Sequence, residues 1–150
     1  MADADDGEAP VIVGMADAAM HMYHTAIDSL PDENEPEFAD RVGVILAGLR
    51  KLQGSLTQAG KRSRNSASVI VALSGVRSVY DELMARAAAS PNGTLGQRLY
   101  SARVKAKLST KEAANGAGLR TDLIEAVEVE EPATDEEESK IKDLIAALGG

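Results

Sequence analysis

His21 and His24 are the only histidines in the 150-residue chain, and they stand three residues apart, so a helix would turn both imidazoles the same way. Two imidazoles can open a metal site, but the chain has no cysteine and no Asp/Glu-x-x-His spacing beside them. A surface or packing role follows, and no metal is expected. The glycines between Gly93 and Gly118 fall into no GxGxxG or P-loop order, because no Lys-Ser/Thr follows a glycine-rich turn. Ser, Lys and Asp occur throughout, yet no spacing sets a nucleophile against its base. Met15, Met20 and Met22 read as gap-filling core rather than a ligand groove. The chain is therefore read as a non-enzyme, with no catalytic residue and no cofactor.

The remaining chemistry is that of charge. A net charge of −8 argues against indiscriminate coating of nucleic acid, but the charges are segregated. Arg41 to Tyr80 contains basic residues and no acid, and a second basic run, Arg98, Arg103, Lys105, Lys107 and Lys111, meets no acid before Glu112. Acids gather in the first nine residues, in Asp32 to Asp40 and in Glu125 to Asp143. This permits a basic face on an acidic chain; solvated helix surfaces are the plain alternative. There is no basic-then-apolar leader, and no apolar run approaches the ~20 residues of a membrane span. Together with the lack of cysteine, this makes soluble and cytoplasmic the expected setting, with no membrane partner.

Helices must position these groups. Hydrophobic content is 44% but aromatics are 3%, with no Trp and a single Phe38, so a core of Leu, Val, Ile, Ala and Met suits packed helices better than a sheet. The expected fold class is all-α. Residues 1–10, small and acidic, read as a disordered tail. Residues 11–90 read as a helical bundle or dimerisation domain of three helices. Val11 to Leu30 is the first, and Pro31 to Pro36 turns the chain. Phe38, Val42, Ile45, Leu46, Leu49, Leu52 and Leu56 mark the second. Gly60 to Asn65 is a basic connection. The third runs from a cap at Ser66 or Ser68 to Ala89, with Val69, Leu73, Val76, Tyr80, Leu83 and Met84 near heptad spacing. That stripe suits an intrachain core first and pairing with a second copy, as a homodimer, second. Residues 91–94 form a linker, with Thr94 placed to cap the helix that opens a domain at 95–150.

In that domain, Leu108 to Glu128 reads as two short helices broken at a glycine. Ser109 and Glu112 have the spacing of a capping box, and Gly118 suits the left-handed geometry that stops a helix. Leu119, Leu123, Ile124 and Val127 give the second helix one apolar face. Gly116, inside the first, costs it about 1 kcal/mol relative to alanine. Glu131 to Asp135 breaks the chain before a final helix with Ile141, Leu144, Ile145 and Leu148 as apolar positions. Glu136, Glu137 and Glu138 suit its positive end.

This C-terminal third, about residues 94–148, resembles the lambda repressor/Cro-like (XRE) helix-turn-helix family. Leu108, Ser109, Glu112, Ala114, Ala117, Gly118, Leu119, Ile124, Val127 and Glu128 follow the family's pattern without a gap, with Ala113 where the family has leucine. Leu95, Gly96, Leu99 and Arg103 look like its first helix. The resemblance implies a five-helix domain, with Asp135 to Leu148 supplying the closing helices and about Arg120 to Glu128 as the recognition helix. It implies double-stranded DNA as partner, with Thr110, Lys111, Thr121, Asp122, Glu125 and Ala126 at groove-facing positions. In that reading Arg98, Arg103, Lys105, Lys107 and Arg120 supply phosphate contacts. The expected function is a DNA-binding transcriptional regulator. Asp122 and Glu125 motivate the alternative, an antitoxin-like or adaptor module that binds no DNA and receives a protein partner on the acidic recognition helix.

Overall fold

The computed structural model of the protein describes residues 4–62 and 67–150. Among them the regular elements are all helices: α1 (Ala4–Asp28), α2 (Pro36–Arg62), α3 (Ala67–Ala89), α4 (Leu95–Lys105), α5 (Thr110–Ala117), α6 (Thr121–Glu128) and α7 (Asp135–Ala147). The fold is all-α, as the aromatic-poor composition predicts. No described helix is long and apolar enough to cross a membrane. The chain divides into two compact units, Met1–Leu83 and Met84–Gly150, so the boundary falls inside α3.

In the first unit α1 and α2 pack as a hairpin across the turn that Pro31 and Pro36 predict. The Asp32 carboxylate accepts the Asn34 backbone N–H at 2.9 Å in that turn. The expected stripe of α2 is its inner face: Phe38, Val42, Ile45, Leu46, Leu49 and Leu56 are buried, Leu52 half-buried. The α3 stripe, Val69, Val76, Tyr80, Leu83 and Met84, is also buried within the chain. The Arg50 guanidinium donates to the Tyr80 hydroxyl at 3.1 Å, tying α2 to α3.

Two boundaries differ from expectation. Helix α1 begins at Ala4 rather than Val11 and contains Pro10. Proline there removes one rung of the hydrogen-bond ladder near the helix start, which does not oblige the helix to begin after it. Helix α2 runs to Arg62, through the first three residues of the expected basic connection. The rest of that connection, Ser63–Asn65, and the expected cap at Ser66 lie outside the described residues.

The second unit is built from caps and a small core. Thr94, Ser109 and Thr134 open α4, α5 and α7, each with a complete capping box closed by Gln97, Glu112 and Glu137 respectively. Leu99, Ala102, Ala114, Leu123, Ile124, Val127, Ile141 and Ile145 form one buried cluster drawn from all four helices. Four helices, not five, follow residue 94. A single capping box at Thr134 leads into an unbroken run, so residues 135–147 make one closing helix where the resemblance implied more than one.

Candidate nucleic-acid interface

Helices α5 and α6 owe their mutual placement to Gly118. It adopts φ 69° and ψ 35°, the left-handed conformation that an L side chain resists, and ends α5 there. The chain reverses within two residues: the Leu119 N–H returns to the Ala114 carbonyl at 2.9 Å. Ser109 and Glu112 fix the other end of α5. The Ser109 hydroxyl accepts the Glu112 N–H at 3.0 Å, and the Glu112 carboxylate accepts the Ser109 N–H at 2.8 Å. Those bonds hold the Glu112 carboxyl below its ordinary pKa, the Ser109 backbone N–H contributing most.

Helix α6 then has two unlike faces. Leu123, Ile124, Val127 and Glu128 are buried; Asp122 and Glu125 are exposed, with Thr121 and Ala126 partly so. The α6 members of the groove-facing set implied by the resemblance, Thr121, Asp122, Glu125 and Ala126, thus lie on its outer face. The start of α5 meets it, since the Thr110 hydroxyl donates to Glu125 Oε1 at 3.3 Å. Lys111, the next residue, is exposed, as is Lys107 in the α4–α5 connection, where it takes a left-handed φ of 60°.

Arg120 stands at the start of α6 and is already engaged. It donates to Asp122 at 2.5 Å and lies 3.5 Å from Glu137 of α7. The hydrogen bond it donates to Asp122, then the charge of Asp122, pushes the guanidinium pKa up. Glu137 is held low in turn, chiefly by the Thr134 N–H that it accepts in the α7 cap. Both Arg120 and Asp122 are exposed, so their pair orients two side chains more than it stabilises the fold.

One expected phosphate contact is corrected. Arg103 is not at the surface: its side chain is 13% exposed and its guanidinium grips Glu128, itself 7% exposed, through two bonds. Nε and Nη2 donate to the two carboxylate oxygens at 2.7 and 2.8 Å, and Nη1 donates to the Leu108 carbonyl at 2.8 Å. The guanidinium also lies 5.3 Å from the Tyr100 ring centroid. All three guanidinium nitrogens thus donate within the fold. Burial pushes the Glu128 carboxyl pKa up, against the downward pull of Arg103. Arg98 and Lys105 remain exposed but gather elsewhere, along a cavity of about 210 Å³ that Ser101 and Leu148 also line.

Sequence reasoning missed the partner of Arg103, although a signal existed. Glu128 follows Ile124 by four residues on the buried face of α6, where a carboxylate needs a cation. It also missed the close approach at Gly96, where a methyl would collide with the Val127 carbonyl oxygen. It missed Gln97 as well, buried at the end of the Thr94 box, although Thr94 and Gln97 have the three-residue spacing of a capping box. Glu130, which accepts the Thr94 hydroxyl at 2.7 Å, left no such signal. His21 and His24 are both exposed on α1, and no group of three metal-ligating side chains occurs among the described residues.

A family model, MSMEG_6518_N, described as an N-terminal domain, matches residues 23–94 and so ends on Thr94. An uncharacterized protein of Mycolicibacterium smegmatis (strain ATCC 700084 / mc(2)155) is 67% identical over 129 residues, 86% of this chain and 100% of that protein. The chain belongs to the same family as this mycobacterial protein. No solved structure matches it.

Proposed function

We propose that residues 95–150 form a helix-turn-helix domain that binds double-stranded DNA, with α6 offered to the major groove, and that the protein is a non-enzymatic regulator of transcription. The observation that carries this reading is the division of α6. Its apolar residues and Glu128 hold it to the domain, while Thr121, Asp122, Glu125 and Ala126 face outward beside the start of α5. A helix held on one face and bare on the other, next to a second short helix at a fixed turn, is what reading a groove requires. Lys111, beside Thr110 at that face, and Lys107, exposed in the α4–α5 connection, offer cations for phosphates, and Arg120 can join them by leaving Asp122.

The test is a fluorescence-anisotropy titration of the whole chain with random-sequence duplex DNA at about 50 and about 200 mM salt. Affinity that falls steeply with salt supports the reading, and Lys111→Glu then weakens binding by about tenfold or more. No binding at the lower salt refutes it.

A second reading has its own observation. The outward face of α6 carries two exposed carboxylates and no cation, and Val129 just beyond it is an exposed apolar residue. Such a face suits a basic protein partner in an antitoxin-like or adaptor role. Asp122→Asn with Glu125→Gln separates the two: DNA affinity rises if α6 approaches phosphates, whereas a captured partner is lost if the carboxylates are its contact.

A further inference from the structure

Helix α1 carries two apolar rows, and α2 covers only one. Ala9 and Ala16 are buried, and Tyr23 lies so close to α2 that a methyl at Gly48 would collide with its ring. About a third of a turn away, Val11, Met15, Ala18 and Met22 form a second row with four-three-four spacing, the period of a helix–helix seam. Val11, Met15 and Met22 are 61%, 69% and 71% exposed, and Val44 of α2 is 74% exposed. Met22 and Val44 line one groove of about 640 Å³, with Lys51 and the small residues Ala19, Ala47 and Gly48.

We propose that this face docks a second copy of the chain, α1 of each protomer seating Val11 and Met15 in the α1–α2 groove of its partner about a two-fold axis. The spacing of the exposed row selects a helix as occupant. The charges select this helix. Helix α1 contains no Lys or Arg and exposes Asp17 and Asp28, whereas α2 has no acid from Arg41 to Arg62 and lends Lys51 to the groove. The α1 of one copy is therefore the electrostatic complement of the α2 of another. Shape agrees, since long methionines face a floor of alanine and glycine. Size agrees too: the four exposed side chains leave on the order of 500 Å² of apolar surface in water, the scale of the largest patch on a typical monomer, which is often functional. Two copies together reach the roughly 1,000 Å² that a specific interface requires, and a two-fold uses the same patch twice. The inference is independent of whether α6 meets DNA.

The deciding measurement is the mass of the full chain by sedimentation equilibrium from low micromolar to about 100 μM. The expected mass is twice the 15.7 kDa of one chain. Met22→Glu and Val44→Glu, at exposed positions, are expected to return it to one chain with helical circular dichroism unchanged. Ile70→Glu, at an exposed apolar position of α3, is expected to leave the dimer intact. Because the chain has no cysteine, Met15→Cys with a short bis-maleimide reports α1 against α1 directly, and a cross-linked pair is expected. A single-chain mass throughout overturns the proposal. So does a dimer that survives both glutamates, or one that yields to Ile70→Glu instead. If the glutamate variants unfold, absence of the Met15→Cys cross-link overturns it and its presence upholds it.

Discussion

Removing the guanidinium of Arg103 while keeping its stem, as Arg103→Met, should unfold most of the second unit. The change strips Glu128 of both charge-assisted bonds and leaves its carboxylate 7% exposed among apolar neighbours. Breaking a buried pair by deleting one partner costs about 3–5 kcal/mol, because the survivor stays desolvated and uncompensated. A unit the size of Met84–Gly150 holds roughly 3–10 kcal/mol in total, so that loss is comparable with the whole. At about 4–8 °C per kcal/mol, the midpoint should fall by at least ~12 °C. Acid should relieve the defect. The folded pKa of Glu128 is already raised by burial, and removing Arg103 takes away the causes that lower it. A carboxyl whose folded pKa is raised adds stability that is fully present below its unfolded value, near 4.5, and lost as pH rises through the folded one. The gap between variant and wild type should therefore be wide at pH 7 and narrow near pH 4. Urea denaturation at the two pH values measures it, with hydrogen exchange assigning the loss to peptides of residues 84–150. The double variant Arg103→Met/Glu128→Leu should recover most of the stability, since an apolar pair needs no partner. A loss below about 1 kcal/mol at pH 7, the scale of a surface pair, would refute the reasoning. So would a loss equal at both pH values.

Three glycines of the second unit should respond to alanine in three ways, read from thermal midpoints. Gly96→Ala drives a methyl into the Val127 carbonyl oxygen and should cost about 1–3 kcal/mol or more. Gly118→Ala meets open space but holds φ 69°, so the cost is that of the backbone alone, about 1–2 kcal/mol. Gly116→Ala meets open space inside α5 and should stabilise by about 0.5–1 kcal/mol; a loss there would contradict the helix. The capping carboxylates carry the opposite pH sign to Glu128. Glu112 and Glu137 have folded pKa values below the ordinary 4.5, so their stabilisation is present above it and lost as pH falls through the lowered values. Glu112→Gln and Glu137→Gln should each flatten the acid limb of the stability profile, and an unchanged slope would count against the caps.

The sequence disclosed what is local and hid what is not. A capping box needs residues three apart, so Ser109 with Glu112 was readable, and so was the stop at Gly118. The apolar period placed α2, α3 and α6. It could not say which of several similar stripes would be covered: the α3 row is buried, whereas the row from Val11 to Met22 on α1 keeps its three largest side chains exposed. Residues 1–10 read as a tail because they are small and acidic, and no local pattern showed that α1 would start at Ala4. Arg103 shows the deeper limit. A basic residue in a basic run reads as surface, and only the fold brings it to a carboxylate 25 positions away. Gly96 is similar, since its need for a missing side chain comes from the Val127 carbonyl, far along the chain.

The pairing of Asp122 bears on the proposed DNA contact more than its charge alone suggests. A free carboxylate on α6 would repel phosphates, but Asp122 is bonded to Arg120 and Glu125 accepts from Thr110. The Arg120–Asp122 pair is largely exposed, so separating it costs little, and an incoming phosphate has only to compete with one screened carboxylate. Glu137 lies 3.5 Å from a different nitrogen of the same guanidinium, however, and displacing Asp122 does not remove that acid. Arg120 would therefore meet a phosphate with one acid still beside it, as a weaker cation than Lys111, which has no acid within ion-pair distance among the described residues. If α6 reads DNA, neutralising Asp122 frees Arg120 and should raise affinity for any sequence alike, whereas a change at Thr121 or Ala126 should alter the choice among sequences. The two kinds of response separate positioning from reading on a single eight-residue helix.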